Sequence, residues 1–345
     1  MTTTESETRA GYRVEDATGA LWFGSWPAGW GDVVRGVSPG GSSSAAAVVA
    51  AAGLAWSVEQ RPLEAVLEAP PGGEARRVRV PRLVANVRSD TGGVLGVVGE
   101  GYEPLQNRAA FAFCDAITDS GEAHWLGAGA TRGGARVHAL MRLDREIRIG
   151  GAEGEDVLPL LCLRNGHDGG LAVTVSVAPF RLACLNGMML PLGGAARTWK
   201  ARHTASLDAK LIDARRSLGI AWRYYDRLEQ LGGELLARRI DAAGFERFLA
   251  RLVPLPQQPD TSESGRAVRN AERLREAIRA AWRASDDLDN VRATHWGALQ
   301  AVTAYVDHVQ PARRTAGRTL AEARFERATE PAPLKDRALE LLLAA

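Results

Sequence analysis

Lysine is almost missing from this chain: of 43 basic residues only Lys200, Lys210 and Lys335 are lysines, and the rest are arginines. With the abundant alanine, this matches a GC-rich bacterial genome, so arginine density alone carries little functional weight. Cysteine is also scarce. Cys114, Cys162 and Cys184 are odd in number and show no C-x-x-C spacing, which argues against a disulfide framework and a structural zinc site and for reduced core thiols. The longest apolar run, 45–56, is shorter than the ~18 residues of a membrane span. No basic stretch followed by an apolar run opens the chain, so no signal peptide is expected, and the expected location is cytoplasmic.

Several functional signatures are missing too. There is no G-x-x-x-x-G-K-[ST] phosphate loop and no H-E-x-x-H zinc site, and the glycines of "GGVLGVVGEG" do not fall as G-x-G-x-x-G. "GVSPG" matches the nucleophile-elbow pattern, but Pro39 follows Ser38 and has no N–H for an oxyanion. No catalytic residue, metal or cofactor is assigned. The net charge is only +2, so an anionic partner has to be met by a local patch.

What is present divides along the chain. Residues 1–42 carry Trp22, Trp26 and Trp30 among glycines and read as an irregular arm. Residues 43–203 read as a β-rich core. A short helix with a serine cap and Gly53 near its end comes first. Strands then follow at 56–63, 64–69, 75–89 and 93–99, a helix capped by Asn107 at 107–120, and strands at 136–143, 157–164 and 171–178. Residues 204–345 read as helical. The expected helices are a long one or a pair broken near Gly232 and Gly233, one capped by Asp241, and others at 266–285, 291–309 and 333–344. A Pro/Ser-rich linker lies at 254–265. The fold class expected is α+β, an antiparallel sheet with a crossing helix and a helical C-terminal half.

Alternation sharpens this reading. Val137, Ala139, Met141 and Leu143 alternate with Arg136, His138 and Arg142, while Val78 and Val80 alternate with Arg77 and Arg79. Such period-2 patterns predict a sheet buried on one side, with arginines and hydroxyls on its open face and the helix 107–120 on the other. A second basic stretch, 197–225, holds seven basic and two acidic residues, a net +5, with Trp199, Trp222, Tyr224 and Tyr225 among them. Basic residues interleaved with aromatics suit a single-stranded backbone and its bases, whereas helical spacing of the same aromatics suits a core.

Polar residues concentrate at 165–203. In "LRNGHDGG", Asn165, His167 and Asp168 stand between two strands, so the stretch reads first as a hairpin loop with positive-φ glycines and second as a ligand loop. Adjacent side chains in extended backbone diverge, so His167 and Asp168 are not expected to orient each other. The arginines of 266–283 are interspersed with Glu272 and Glu276, as on a salt-bridged surface helix.

Five stretches in order carry a resemblance: "VVGEGYEPLQNRAAFAF", "GAGATRGGARVHALMRL", "LRNGHDGGLAVTVSVAPFRLACLNGM", "RHT" and "THWGALQAVTAYVDHV". Together, over about residues 18–310, they resemble the phage/plasmid-like protein family, a family of unknown function in bacteria, phages and plasmids. Pro179, Arg181, Cys184 and Asn186 match its pattern, while Gly170 stands where the family has serine and Gly187 where it has threonine. The resemblance implies a setting on mobile elements, and so DNA recombination, replication or host interaction. By fold-level analogy it also looks like the core of ring-forming annealing proteins.

The expected function is therefore single-stranded DNA binding by a homo-oligomer, with Arg77, Arg79, Arg136, Arg142, Arg181, Lys200, Arg202 and His203 as contacts. Two alternatives stand beside it. One is an enzyme acting on a nucleotide or nucleic acid, which requires His167, Asp168, Arg181 and His203 to converge. The other is an assembly protein using residues 1–42 and the C-terminal helices.

Overall fold

The computed structural model describes residues 6–8, 11–15, 21–23, 33–36, 44–69, 74–151, 154–193, 195–200, 207–256, 262–311 and 317–345. Its first elements correct the expected irregular arm. β1 (Ser6–Thr8), β2 (Gly11–Glu15) and β3 (Leu21–Phe23) form an antiparallel meander. Trp22 lies in β3, and Trp26, Trp30 and Ser38 fall outside the described residues. After β4 (Arg35–Gly36) comes α1 (Ala45–Ala51), capped by Ser44, whose hydroxyl accepts from the Ala47 amide at 3.3 Å. Gly53 ends it at φ +70°, the left-handed conformation that glycine adopts without penalty.

The next three strands form their own antiparallel sheet: β5 (Val58–Leu67), β6 (Arg76–Arg88) and β7 (Val94–Gly99). The expected strands at 56–63 and 64–69 are thus one strand. Its proline, Pro62, sits where the β5–β6 register slips between Pro62↔Val84 and Glu64↔Arg79. A bulge of this kind is where a strand tolerates a residue without an N–H.

α2 (Asn107–Thr118) follows, starting from Gln106 rather than being capped by Asn107. The main sheet comes next, antiparallel throughout, in the order β16-β13-β12-β9-β8-β4. Its members are β8 (Ala123–Thr131), β9 (Arg136–Leu143), β12 (Leu160–Gly166), β13 (Thr174–Val177) and β16 (Thr198–Lys200), with β4 at the edge. A smaller sheet holds β10 (Ile147–Ile149), β11 (Glu155–Leu158), β14 (Phe180–Arg181) and β15 (Asn186–Gly187). The expected strand 157–164 is divided at Pro159, and its two parts enter different sheets, β11 and β12.

One face of the main sheet behaves as its alternation predicts. Val137, Ala139, Met141 and Leu143 of β9, with Leu161, Leu163, Val175 and Val177, pack against Phe111, Cys114 and Ile117 of α2 in one large apolar core. The other face is not open, and this is the principal correction. Leu126, Leu140, Leu160 and Cys162 form a second, smaller core with Val33, Val34, Phe180, Phe325 and Ala328. The last two belong to α7 (Leu320–Thr329), a helix that lies across this face. His138, Arg142, Arg164, Thr174 and Ser176 are buried there as a result.

The C-terminal half is helical, as expected. α3 (Leu207–Ala237) is one unbroken helix. Gly232 does not end it: a Cβ at that position would lie 2.5 Å from Cγ2 of Ile149, so the glycine lets the helix approach β10. α4 (Ala242–Leu252) has the expected cap, with Asp241 accepting from the Gly244 amide at 2.7 Å. α5 (Ser262–Ala284) begins inside the expected linker, of which residues 257–261 lie outside the described residues. α6 (His295–Ala304) runs into a π-turn at Tyr305–Val309, and α8 (Pro333–Leu343) ends the chain. The large apolar core is continuous from Val48 of α1 to Leu342 of α8. Among the described residues no helix is long and apolar enough to cross a membrane.

Charge inside this fold is held by specific partners. Arg181 forms a bidentate pair with Glu155, donates to the Asp287 carbonyl at 2.6 Å and is almost fully buried. Lys335, also buried, meets Asp307 of the π-turn at 2.6 Å and donates to the Gly187 carbonyl at 2.7 Å. Asn186 donates to Thr303 at 3.0 Å and accepts from His308 at 3.0 Å. Two parts of the resemblance pattern, Arg181 and Asn186, thus join the small sheet to the C-terminal helices. Removing one partner of such a pair leaves an uncompensated buried charge, at a cost of about 3–5 kcal/mol.

The closed second face makes stability depend on pH. His138 donates through Nε2 to the Val33 carbonyl at 3.1 Å and lies 4.3 Å from the Phe325 ring. Burial first, then the positive charge of Arg164, depresses its pKa from 6.5 to about 3. Burial lowers His308 as well. The unfolded chain takes up a proton below pH 6.5 that folded His138 refuses until about pH 3. Stability is therefore whole above pH 6.5 and falls between those values, by up to ~1.4 kcal/mol per pH unit for one such histidine. Urea unfolding of wild type and His138→Gln between pH 7 and pH 4 is expected to give a shallower pH slope for the variant. An identical slope would remove His138 from this account.

Candidate functional site

The "LRNGHDGG" stretch is a hairpin connection, as its glycines predict, but only part of it is loop. Asn165 and Gly166 close β12, and the chain turns through Gly169 at φ +74° before β13. His167 is fully buried. Its ring Nε2 meets Oδ1 of Asn107 at 3.0 Å, and its edge faces Trp56 at 5.6 Å between ring centroids. Its amide donates to the Ala135 carbonyl at 2.8 Å, and its carbonyl accepts from Nδ2 of Asn86 at 2.7 Å. Asn165 donates to the Leu105 carbonyl at 2.9 Å, and Tyr102 donates to the Gly166 carbonyl at 2.8 Å.

Asp168 turns the other way. Its Oδ1 accepts from the Gly170 amide at 2.9 Å, and Oδ2 lies 3.6 Å from Nε of Arg136. The loop presses so closely on β7 that a Cβ at Gly96 would meet Cα of Asp168 at 2.6 Å. The loop therefore works as a clamp between the main sheet and the sheet β5-β6-β7. Asn107, free of capping duty, is part of it, since its Nδ2 donates to the Leu54 carbonyl at 3.0 Å.

Of the residues of the enzyme alternative, the three described ones, His167, Asp168 and Arg181, are not brought together. His167 and Asp168 lie beyond the last residue of β12, whereas Arg181 pairs with Val157 before β12 begins. Their polar partners are different: Asn107 for His167, Arg136 for Asp168 and Glu155 for Arg181. His203 and Arg202 lie outside the described residues. No group of three or more His, Cys, Asp or Glu side chains that could hold a metal occurs among the described residues.

The proposed nucleic-acid contacts also separate. Arg142 and Arg181 are buried, so they cannot form an open basic face. Arg142 lies on the enclosed face of the main sheet, paired with Leu160, and Arg181 is held by its pair with Glu155. Arg136 is mostly enclosed, 3.6 Å from Asp168 and 4.0 Å from Glu326 of α7. Lys200 is exposed on the edge strand β16. The aromatics of 197–225 pack on or in the core, the two tyrosines buried and the two tryptophans half-buried against it. Tyr224 and Tyr225 are buried, Trp199 stacks on Phe113 at 5.8 Å, and Trp222 donates to Glu122 at 2.9 Å.

Arg77 and Arg79 have a different setting, with side-chain exposures of 76% and 64%. They lie on the outer part of the β5–β6 hairpin. β7 pairs with β6 only over 83–87, so the paired segments 64–67 and 76–79 extend past it as a two-stranded ribbon exposed on both faces. The bulge that separates ribbon from base contains Arg82 at φ +61°, a conformation costly for a residue with a Cβ. By pairing, Arg77 and Arg79 share a face with Glu64 and Val66, and Arg76 shares the other with Ala65, Leu67 and Val78. The ion pairs here, Arg77–Glu64 at 3.8 Å and Arg79–Glu100 at 3.1 Å, are exposed and weak. Arg76 and Arg82 went unnoticed as candidates, though "RRVRVPR" places four arginines in seven residues with no acid among them.

A family model described as a domain of unknown function (DUF932) matches residues 94–329. The chain belongs to this family. The DUF932 match takes in β7, the clamp loop and the Arg181–Asn186 segment and ends at the last residue of α7, leaving β5, β6 and α8 outside it. No curated protein and no solved structure matches the chain.

The clamp makes a testable claim about this DUF932 domain. Gly96→Ala drives a methyl into the loop backbone and is expected to lower stability by about 1–3 kcal/mol in urea unfolding. Gly99→Ala, in the same strand with nothing within 4 Å of its Cβ position, is the matched control and is expected to change stability by less than about 0.5 kcal/mol.

Proposed function

We propose that this chain binds nucleic acid, with the arginine row of the β5–β6 ribbon as its phosphate contact. The observation that carries this reading is the placement of Arg76, Arg77 and Arg79 on an exposed ribbon with Arg82 exposed at its root, while Arg136, Arg142 and Arg181 are enclosed. At ~3.3 Å per residue the ribbon reaches about 15 Å beyond the base sheet. A two-stranded ribbon of this width fits the major groove of a duplex, and a guanidinium grips a phosphate through two parallel hydrogen bonds. The resemblance to phage/plasmid-like proteins, with its implied setting on mobile elements, supports DNA as the polymer and association of several copies as the working form.

The single-stranded form is the narrower part of the proposal. Its support in the aromatics of 197–225 is reduced by their burial, so phosphate contact carries the reading in place of base stacking. Fluorescence anisotropy with a labelled single strand and its duplex, at low and high salt, is the test. Each phosphate contact contributes about 0.7 to the slope of log K against log salt for a single strand and about 0.9 for a duplex. Arg76→Ala/Arg77→Ala/Arg79→Ala is expected to weaken binding and to flatten the slope by roughly 2–3 units in total. No binding of either polymer at low salt, or binding untouched by the triple substitution, sinks the proposal. Native mass measurement of the same samples reads the number of copies.

A further inference from the structure

Away from the ribbon, the C-terminal helices enclose a cleft of 510 Å³ between α4, the end of α8 and the start of α6. Its walls carry Arg239, Arg247, Arg251 and His295 over an apolar floor that includes Ile240, Phe248 and Leu342. Arg247 and Arg251 stand one turn apart on the same face of α4. Arg239 comes from the connection before α4, where the backbone is pinned: Arg239 bridges Thr294, and the Ile240 amide donates to the Ala293 carbonyl at 3.0 Å.

None of these three guanidinium groups has a carboxylate side-chain partner among the described residues. Glu246, the one acid of α4, faces away and pairs with Arg279 at 2.7 Å and Arg283 at 3.7 Å. Arg292 has Asp289 at 2.6 Å. The one acidic side chain in the cleft wall, Asp241, is engaged at the helix cap, 2.7 Å from the Gly244 amide. His295 is nearly buried, and its Nδ1 meets the Leu342 carbonyl at 2.9 Å, so Nδ1 carries the proton and the ring is fixed in place. Its Nε2 has no hydrogen-bond partner among the described residues, and His295 is one of the residues that line the cleft.

We propose that this cleft binds a small organic phosphate carrying at least two negative charges. Three exposed guanidinium groups lining one cleft beside an imidazole supply the charge-assisted hydrogen bonds that a phosphate group accepts. The apolar floor suits a carbon body attached to it, and the volume lies in the range of small-molecule sites. The phosphate can come from a free metabolite-sized molecule or from the end of a nucleic-acid strand, and the two sources are separable. The site shares no residue with the ribbon, so it stands or falls independently of the proposed nucleic-acid contact.

The test is calorimetric titration of the full chain with pyrophosphate, with a nucleoside diphosphate and with a 5′-phosphorylated oligonucleotide. Citrate, an anion of similar charge, is the comparison. Saturable binding of pyrophosphate and the nucleoside diphosphate is expected. Arg247→Ala/Arg251→Ala is expected to weaken it by about tenfold or more, as losing charged hydrogen bonds does, and Arg77→Ala/Arg79→Ala to leave it unchanged. Tighter binding of the oligonucleotide than of the diphosphate, lost in the same Arg247/Arg251 variant, assigns the phosphate to a strand end. Arg251→Gln alone provides the same readout if the double variant melts early. The proposal is overturned by no saturable binding of either small phosphate, by binding that survives the cleft substitutions, or by citrate binding as tightly as pyrophosphate.

Discussion

The hydrogen bonds of His167 hold two sheets in one relation. The connection between β8 and β9 of the main sheet supplies its amide partner, Ala135; the hairpin sheet supplies Asn86; and α2 supplies Asn107, which itself reaches back to Leu54 after α1. Each group is buried, so water cannot replace a missing partner, and the loss of any one leaves a donor or acceptor unsatisfied. The adjacency of His167 and Asp168 resembles a catalytic pair in sequence, but the two side chains serve opposite sides of the loop. One points inward to Asn107 and the other outward to Arg136. The clamp gives the ribbon a firm base.

Burial divides the arginines into those that hold the fold and those that can meet a partner. Arg164 and Arg181 are enclosed and face carbonyls, hydroxyls and carboxylates of distant segments, so each joins parts of the chain far apart in sequence. The arginines of the ribbon and of the α4–α8 cleft are the opposite kind. Their charges are only weakly paired or face a cleft without a carboxylate partner among the described residues, which is the condition under which an anion gains from binding.

Local patterns in the sequence give α2, β9 and α8 nearly their observed limits, because apolar spacing, glycine stops and alternation are properties of neighbouring residues. The one-sided sheet fails for a non-local reason. Alternation in β9 describes its two faces correctly, yet Leu140 and His138 are covered by Phe325, nearly two hundred residues later. A signal for that helix exists: Thr319 and Glu322 form a capping box, readable as T-x-x-E before α7. The break at Pro159 is legible in the same way. The burial of His167 is not, since it depends on Asn107 sixty residues away. The cleft is equally invisible in one dimension, because Arg239, Arg247 and His295 meet only after three helices have packed.

The bulge at Pro62 and Arg82 has a consequence for how this hairpin can vary. It interrupts the ladder, so the register of the base, from Val84↔Val98 to Val58↔Arg88, is set without reference to the ribbon. Residues can therefore be added or removed in facing pairs near the tip while every side chain of the base keeps its face. Reach and body are separate parts in this architecture. The distance at which the chain meets another molecule can change without disturbing the clamp beneath it.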